Sequence, residues 1–386
     1  MWLLRDPWEL SEQRLVVPHA LAPLLHFCDG TRTIESIREE FSAYAGEDVP
    51  AEIVHDAIDA LDAAFLLENA RSQAMIQSAL AQYRTQPFRP PALANRSYPQ
   101  RPGDLNALFQ GFGFSNGSTP QANRLFRGII SPHIDYPRGG TVYAQVWQRA
   151  IPSILAADLV IILGTDHNGR PGSITLTQLP YATPFGLLPS DPALVQALAA
   201  AVGEENAFAE ELNHRGEHSI ELSAVWLHYV YDQFGKKPPP MVPVLIGSFH
   251  HHIVNDSHPS QDPALSRFLN VLQGEIAGRQ ALIVASVDLA HVGPNFGDPF
   301  DMDAERRARL TAEDNALMEI IAQGNAASFY GRIASIEDRN RICGFSPLYV
   351  MLRILGETDG IKVAYQHCPA DTANTSLVSI CGLLLQ

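Results

Sequence analysis

The sequence predicts an α/β protein with a mostly parallel central sheet flanked by helices. From about residue 124 onward, short apolar runs such as LVIILGT, MVPVLIGS and ALIVASV alternate with helical segments. Strands that are apolar along their whole length are typical of parallel sheets covered by helices on both faces. Two further runs, LFRGIISP and SLVSICGLLL, lie at the start and the end of this region and complete the predicted sheet.

Composition and charge exclude several classes of protein. The chain has 386 residues and a formal net charge of -15, which argues against nucleic acid or an anionic membrane as a partner. No stretch approaches the roughly 20 apolar residues of a membrane span. The segment MWLLRDPWELSEQR does not have the pattern of a signal peptide, and the four cysteines form no CxxC pair. We therefore expect a cytoplasmic protein in a reducing compartment.

The chain is expected to contain two folded parts joined by a linker. In residues 1–72, TIESIREEFSAYA and PAEIVHDAIDALDAAFLL repeat apolar residues at helical spacing, and the strand-like FLLEN follows. This predicts a small helical or winged-helix-like domain. Residues 73–103 are predicted to form a polar helix and a proline-rich linker. Residues 104–386 would then form the α/β domain.

Polar residues follow three of the predicted strands. His133 comes after RGIIS, His167 after LVIILG, and the pair Asp288 and His291 after ALIVASV. Reactive residues of open α/β sheets collect beyond the carboxyl ends of the strands, so these side chains should meet at one edge. A lone histidine at a strand end is more often structural, but three such clusters favour a metal site, with carboxylates that orient the imidazoles.

Two further segments carry candidate site residues. The segment EHSIEL contains Glu217, His218 and Glu221 ahead of an apolar helical stretch. Cys343 lies just before a helix start marked by Ser346-Pro347, a position that lowers the pKa of a thiol and favours a thiolate ligand. A buried, inert thiol is the more frequent fate of a cysteine, and that is the interpretation for Cys28, Cys368 and Cys381.

Together these segments resemble the Memo-like family, in particular the AmmeMemoRadiSam system protein B type that accompanies radical-SAM enzymes. The matching segments are NRSYP, ISPHIDYPRGG, LGTDHNG, YATPFG, EHSIE, VPVLIGS, SVDLAHVG and ICGFSP. The resemblance implies a fold similar to class III extradiol dioxygenases, which hold a ferrous ion with two histidines and a carboxylate. The sequence departs from the family at IDYPRGG, where Pro137 and Arg138 replace an aromatic and small residues. The family's substrate contacts are therefore not carried over.

The resemblance also implies roles for individual residues. His133, His167 and Cys343 correspond to the family's metal position, with iron (Fe2+) as the expected ion and copper or zinc as alternatives. Asp288 and His291 correspond to further pocket residues. His291 is expected either to shuttle a proton or only to hydrogen-bond a ligand residue, and the pair Glu217 and His218 is the reserve for catalysis.

The first domain carries a resemblance of its own. The pattern HFCDGTRTIESI…FLL is similar to PqqD-like domains, which bind peptides for radical-SAM partners. It implies a radical-SAM enzyme or a peptide as a partner of the N-terminal domain. A helical cap on the main domain is the alternative interpretation.

Three functional hypotheses remain open at this point. The first is a redox enzyme of the dioxygenase type, acting on a small molecule that the sequence does not identify. The second is a non-catalytic module that binds or handles metal. The third is a zinc hydrolase built on His218 and Glu221, with His291 or His251 as third ligand. A serine hydrolase is set aside because the chain has no G-x-S-x-G segment.

Overall fold

The computed structural model describes residues 1–115 and 124–386, which divide into two compact units, Met1–Gln86 and Pro87–Gln386. The boundary lies inside the stretch 73–103 that the sequence marks as a linker. A helix, Ala70–Arg84, fills the first half of that stretch and belongs to the first unit. The proline-rich half belongs to the second unit.

The first unit combines an antiparallel hairpin with helices. Its elements are β1 (Trp2–Arg5), β2 (Arg14–Val17), the 3-10 helix Ala22–Phe27, α1 (Ile34–Ala45), α2 (Ala51–Ala63) and α3 (Ala70–Arg84). The Thr33 side chain caps α1 by accepting a hydrogen bond from the Ser36 amide, and Gly46 ends the helix in the left-handed conformation. A small core holds the unit together and includes Leu24, Ile37, Phe41, Val49 and Val54.

The strand predicted at FLLEN does not form. Phe65 has a φ of 58°, and the Leu66 amide donates to the carbonyl of Leu61, so the chain turns sharply at the end of α2. This turn satisfies a carbonyl at the helix end and leaves no extended segment there. The strands of this unit instead precede its helices.

The second unit contains the predicted sheet and its helices. Its described elements are α4 (Pro102–Gly111), β3 (Gly128–Ser131), α5 (Tyr136–Ala156), β4 (Leu159–Thr165), β5 (Ile174–Leu176), β6 (Tyr181–Thr183), β7 (Gly186–Leu188), α6 (Pro192–Val202), α7 (Glu204–Ala209), α8 (Asn213–Gly216), α9 (His218–Gln233), β8 (Met241–Ile246), α10 (His250–Val254), α11 (Pro263–Ile276), β9 (Ala281–Ser286), β10 (His291–Val292), α12 (Ala304–Ala322), α13 (Ala326–Ala334), α14 (Phe345–Leu355), β11 (Ile361–Pro369) and β12 (Leu377–Leu385).

The predicted fold class is confirmed. The strand order is β10-β12-β3-β9-β4-β8-β5, with β11 paired to β12. The central strands β3, β9, β4 and β8 run parallel, whereas β12 and β5 pair antiparallel to their neighbours. The late run SLVSICGLLL is therefore a strand, as predicted, but it runs opposite to the parallel centre.

Both faces of the sheet are covered. Along β4, Ile161 and Leu163 pack into one hydrophobic cluster, and Val160 and Ile162 pack into another on the opposite face. The first cluster includes side chains of α6, α11 and α14, and the second includes side chains of α4, α5 and α9. Successive side chains of a strand point to opposite faces of the sheet. Because both faces are covered here, every residue of the strand must be apolar. Within residues 1–115 and 124–386, no helix combines the length and the apolar character needed to cross a membrane.

The proline-rich half of the expected linker is packed into the second unit. Arg89 is fully buried and forms an ion pair with Glu221 of α9. The Arg89 amide donates to the carbonyl of Pro180, and the Ala182 amide donates to the carbonyl of Arg89. A buried guanidinium requires such partners, so this segment is fixed by its contacts despite a composition typical of linkers.

Candidate metal centre

Neighbouring parallel strands bring the predicted site residues to one edge of the sheet. His133 lies two residues after β3, His167 two residues after β4, and Asp288 two residues after β9. Strand β9 lies between β3 and β4, so their carboxyl ends are adjacent. The structure therefore brings the three strand-end clusters together.

Imidazoles and one thiol converge at this edge. His133, His167 and His218 each offer one ring nitrogen, and these nitrogens lie within 4.8 Å of one another. The Sγ atom of Cys343 lies 3.2 Å from Nε2 of His133 and 3.3 Å from Nε2 of His167. The predicted set of two histidines and one cysteine is thus assembled, and His218 adds a third imidazole.

Hydrogen bonds on the far side of each ring fix its orientation. Nδ1 of His133 lies 3.0 Å from the Ser286 carbonyl oxygen, and Nδ1 of His167 and of His218 each lie 3.0 Å from the Glu217 carboxylate. Protons held on these Nδ1 atoms leave Nε2 free to accept a cation. Glu217 also caps α9 by accepting from the Ser219 amide, so this carboxylate lies behind the rings and positions them.

The local charges favour a thiolate at Cys343 and a neutral imidazole at His133. Burial raises the pKa of Cys343, but the neighbouring His133 and His167 outweigh that effect and bring the pKa to about 6. Burial holds the pKa of His133 below its usual range. Burial also opposes the charged form of His167, but hydrogen bonds with Cys343 and Glu217 raise its pKa well above the usual value. His167 and Cys343 thus hold one proton between them, and a metal ion would compete with it.

A pocket of about 600 Å3 opens over the cluster. The lining combines polar and apolar side chains: the polar ones are Ser97, His133, Asp135, Arg138, His167, His218, Asp288, His291 and Asn295, and the apolar ones are Leu93, Ile134, Leu222, Phe296, Ala370 and Val378. The side chains of His167 and His218 are 36% and 40% exposed, so the cluster can be reached from solvent. The arrangement suits a small ligand with an apolar body and a donor atom directed at the cluster.

Asp288 and His291 line the pocket without joining the cluster of three imidazoles. Oδ1 of Asp288 accepts hydrogen bonds from the amides of His133, at 2.9 Å, and Ile134, at 3.2 Å. Asp288 therefore fixes the turn that presents His133. The His291 ring packs edge-on against Phe296 at 5.1 Å between ring centres, and burial lowers its pKa. A neutral His291 can accept a proton in the pocket.

The ligand set of the zinc-hydrolase hypothesis is not assembled. The Glu221 carboxylate accepts from Arg89, from Tyr98 and from the amides of Ala92 and Leu93. It is therefore engaged by residues of the segment 89–98, one helical turn beyond Glu217, and does not join the imidazole cluster. The alternative ligand His251 is bonded through Nδ1 to the Ser248 carbonyl oxygen and does not join the cluster.

Sequence reasoning missed the part played by the segment 89–98. Glu221 anchors this segment, and its residues Leu93 and Ser97 line the pocket. The available signals were an arginine in a proline-rich stretch and a glutamate within an apolar helix. Their partnership spans 132 residues of sequence, and nothing local to either residue indicates it.

Fold and site together define an α/β protein with a candidate metal centre at the carboxyl edge of its parallel strands. Residues 89–383 match the family model described as Memo-like protein, and the chain belongs to that family. The family assignment made from the sequence motifs is thereby confirmed.

Curated relatives carry the family name and little more. The chain is 26% identical to a MEMO1 family protein of Aquifex aeolicus, over 99% of this chain and 95% of that protein. It is 29% identical to a MEMO1 family protein of Thermus thermophilus, over 87% of this chain and 94% of the relative. It is 26% identical to a MEMO1 family protein of Methanosarcina barkeri, over 72% of this chain and 92% of that protein. The Aquifex match extends over nearly the whole chain, including the first unit.

Proposed function

We propose that this Memo-like protein binds one metal ion at His133, His167 and Cys343 and, with iron or copper bound, acts as a dioxygenase-like oxidoreductase. Ferrous iron is the first choice of ion, with copper and zinc as alternatives. The observation that carries the proposal is the convergence of imidazole nitrogens that line the pocket with the Cys343 sulfur, which lies within 3.3 Å of two of them. The small-molecule substrate would occupy the pocket above them.

The donor set fits such an ion. Imidazole suits iron, copper and zinc, and thiolate suits the softer members of that group. Cys343 is prepared as a thiolate, and the imidazole nitrogens are oriented by partners at their Nδ1 atoms. When bound, the ion would supply Lewis acidity and, for iron or copper, electron exchange with a ligand in the pocket.

The surrounding residues would bind, orient and move a proton. Glu217 holds two imidazoles in position, and Asp288 fixes the turn that carries His133. His291 lines the pocket as a neutral base and would take a proton from a ligand there or return it. The apolar side chains of the lining, Phe296 among them, would contact the rest of the ligand and exclude water from it.

Metal analysis of anaerobically purified protein tests the first half of the proposal. We expect about one ion per chain in the wild type and sharply less in His133→Ala, His167→Ala and Cys343→Ala. His251→Ala removes a histidine outside the cluster and should retain the ion. Full occupancy in all three site variants would refute the metal centre. His218→Ala then shows whether the third imidazole also binds the ion.

Oxygen uptake against phenolic candidates tests the second half. A redox enzyme should consume oxygen with at least one of them, and His291→Gln should abolish this uptake while retaining the metal. A metal-handling module is the second candidate function, favoured by the partial exposure of His167 and His218. Such a module would release its ion rapidly to a chelator and show no turnover with any compound tested.

For the first unit we propose a role in binding a peptide or a radical-SAM enzyme in the cytoplasm. An apolar pocket of about 440 Å3 supports this, lined by Trp2, His19, Ala22, Pro23, His26, Phe27 and Tyr44. Trp2 is 51% exposed and Tyr44 67% exposed, which is unusual for large apolar side chains. Titration of the full-length protein with a purified radical-SAM enzyme of the same organism should show binding that Tyr44→Ala weakens. Equal binding by Tyr44→Ala and the wild type would refute a role for this pocket.

A further inference from the structure

One arginine lines the pocket over the candidate metal centre. Arg138 lies in the first turn of α5, and its side chain is 39% exposed. In the part of the chain that the structure describes, the pocket lining contains no other arginine and no lysine. A guanidinium keeps its positive charge at every physiological pH, so Arg138 gives the lining a permanent cation. The proposed metal centre makes no use of it.

Hydrogen bonds fix the position of the Arg138 side chain. Its Nε donates to Oδ2 of Asp135 at 2.7 Å, Nη2 lies 2.5 Å from the same oxygen, and Nη1 donates to the Pro369 carbonyl oxygen at 3.2 Å. The Arg138 carbonyl oxygen accepts from Nε2 of Gln366 at 3.0 Å. A mobile surface arginine loses rotamer freedom when it binds a ligand, whereas this side chain is already ordered. It is therefore preorganised for binding.

The Arg138 guanidinium still has hydrogen-bond donors to offer. A guanidinium carries five N–H groups, and the three contacts with Asp135 and Pro369 occupy one on each nitrogen. One N–H of Nη1 and one of Nη2 therefore have no partner among the described residues. Donors on two neighbouring nitrogens suit the two oxygens of a carboxylate.

Asn295 places an amide group beside this guanidinium. Its Nδ2 donates to the Ala370 carbonyl oxygen at 2.9 Å, and its backbone amide donates to Oγ of Ser376 at 3.0 Å. Arg138 and Asn295 thus bond the carbonyl oxygens of consecutive residues, Pro369 and Ala370, whose Cα atoms are about 3.8 Å apart. Both side chains line the pocket. Their N–H donors are therefore concentrated in one part of the lining.

We propose that the ligand of this pocket carries a carboxylate, which Arg138 binds with the help of Asn295 while the other end of the ligand faces the metal cluster. The inference rests on the proposed function only in taking this pocket as the substrate site. Apolar side chains such as Phe296 and Val378 line the same pocket and would contact the body of the ligand. The substrate class is thus a small acid with an apolar body.

The acidic residues of the described lining do not exclude an anion. Oδ1 of Asp135 accepts from the Arg138 amide at 3.1 Å and caps α5, so the charge of Asp135 is balanced by both the helix N-terminus and the guanidinium. The other acidic residue, Asp288, accepts from the amides of His133 and Ile134. Both carboxylates are thus bound within the protein, and a carboxylate of the ligand would meet the remaining N–H donors.

Calorimetric titration of the full-length protein with matched acids and amides tests this proposal. The probes are 4-hydroxybenzoate, 4-hydroxyphenylacetate and 3-(4-hydroxyphenyl)propionate, each compared with its neutral amide. Their carboxylates lie at increasing distances from the phenol, and all are ionised at neutral pH. At least one acid should bind about tenfold more tightly than its amide, as a hydrogen bond to a charged group implies. Added salt should reduce this preference.

A pair of variants assigns the preference to one arginine. Arg138→Gln keeps a polar side chain without the charge, so the acid should lose its advantage while the amide binds as before. Arg170→Gln is the matched control, because Arg170 is also paired with a carboxylate, that of Glu210, but does not line the pocket. Thermal unfolding checks that both variants are folded. An acid preference that survives in Arg138→Gln would overturn the proposal, as would equal binding of every acid and its amide by the wild type.

Repeating the titrations after metal removal by a chelator separates this inference from the proposed function. A preference that depends on Arg138 and persists without metal supports the carboxylate site, even if the protein proves to bind no ion and the proposed function fails. A preference that appears only with metal bound would show that the carboxylate binds the ion. That result would overturn the assignment of Arg138 and leave the proposed function intact.

Discussion

Two polar regions lie one helical turn apart at the start of α9, and they differ in whether their polar groups are already paired within the protein. Near its N-terminus, Glu217 orients imidazoles whose Nε2 atoms and the Cys343 sulfur face one another across a partly exposed site. One turn further, Glu221 accepts from Arg89, Tyr98 and backbone amides, and its cluster is sealed from solvent. Spare lone pairs directed at a common point indicate a binding site, whereas a fully paired cluster indicates a structural one.

The largest expected effect is on stability, at the sealed cluster. Arg89→Met leaves Glu221 buried without its ionic partner, which typically costs about 3 to 5 kcal/mol of unfolding free energy. Urea denaturation followed by circular dichroism measures this. Arg170→Met is a suitable control, because the arginine side chain of its ion pair with Glu210 is 64% exposed, and it should cost less than about 1 kcal/mol. Equal losses in both variants would remove the distinction between a sealed and an exposed pair.

The next effect concerns metal affinity, at the open cluster. Glu217→Gln weakens the orientation of two imidazoles, and loss of such a partner typically lowers metal affinity by about 10- to 100-fold. Competition with a zinc chelator measures the affinity, and Glu210→Gln is the matched control. Because the Glu217 carboxylate also caps α9, the unfolding free energy should fall by only about 1 kcal/mol. A large loss of unfolding free energy with unchanged metal affinity would show that Glu217 stabilises the fold and does not position metal ligands.

The pH dependence of metal binding should follow the Cys343 thiol. Its pKa lies near 6, below the usual value for cysteine, so the thiolate predominates above pH 6 and is protonated below it. Because His167 and Cys343 hold one proton between them, proton competition should lower metal affinity as the pH falls toward 6, and protonation of Cys343 should add about a further tenfold loss per pH unit below that value. In Cys343→Ser this dependence should flatten, and equilibrium dialysis at several pH values measures it. A wild-type profile identical to that of Cys343→Ser would exclude thiolate ligation.

The smallest expected effect on metal affinity is that of His291→Gln. His291 lines the pocket but lies outside the cluster of imidazoles, so metal affinity should change by less than about twofold while any turnover is lost. Loss of metal in this variant would show that His291 is a metal ligand. Unchanged turnover would show that His291 takes no part in the reaction. His250→Gln, at an exposed histidine of α10, serves as the control for both measurements.

Much of this protein was determined by local sequence signals. The apolar runs of β3, β4 and β9 predicted a parallel sheet, since strands buried on both faces must be apolar throughout. Because the carboxyl ends of parallel strands meet at one edge of the sheet, the same runs predicted that His133, His167 and Asp288 lie close together. The position of Cys343 just before α14 could likewise be predicted, because the start of a helix has a local sequence signature.

Tertiary structure alone decided the rest, because it depends on contacts between distant residues. His218 and Glu221 lie within four residues of each other, yet one faces the pocket and the other pairs with Arg89, 132 residues away. Composition predicted a helix and linker over residues 73–103, but that buried ion pair holds the proline-rich part of it in the second unit. The direction of β12 depends on its pairing with β3, which no periodicity within β12 reveals. Local patterns specify elements and their ends, whereas burial and charge pairing across the fold decide which polar groups stay free to bind a ligand.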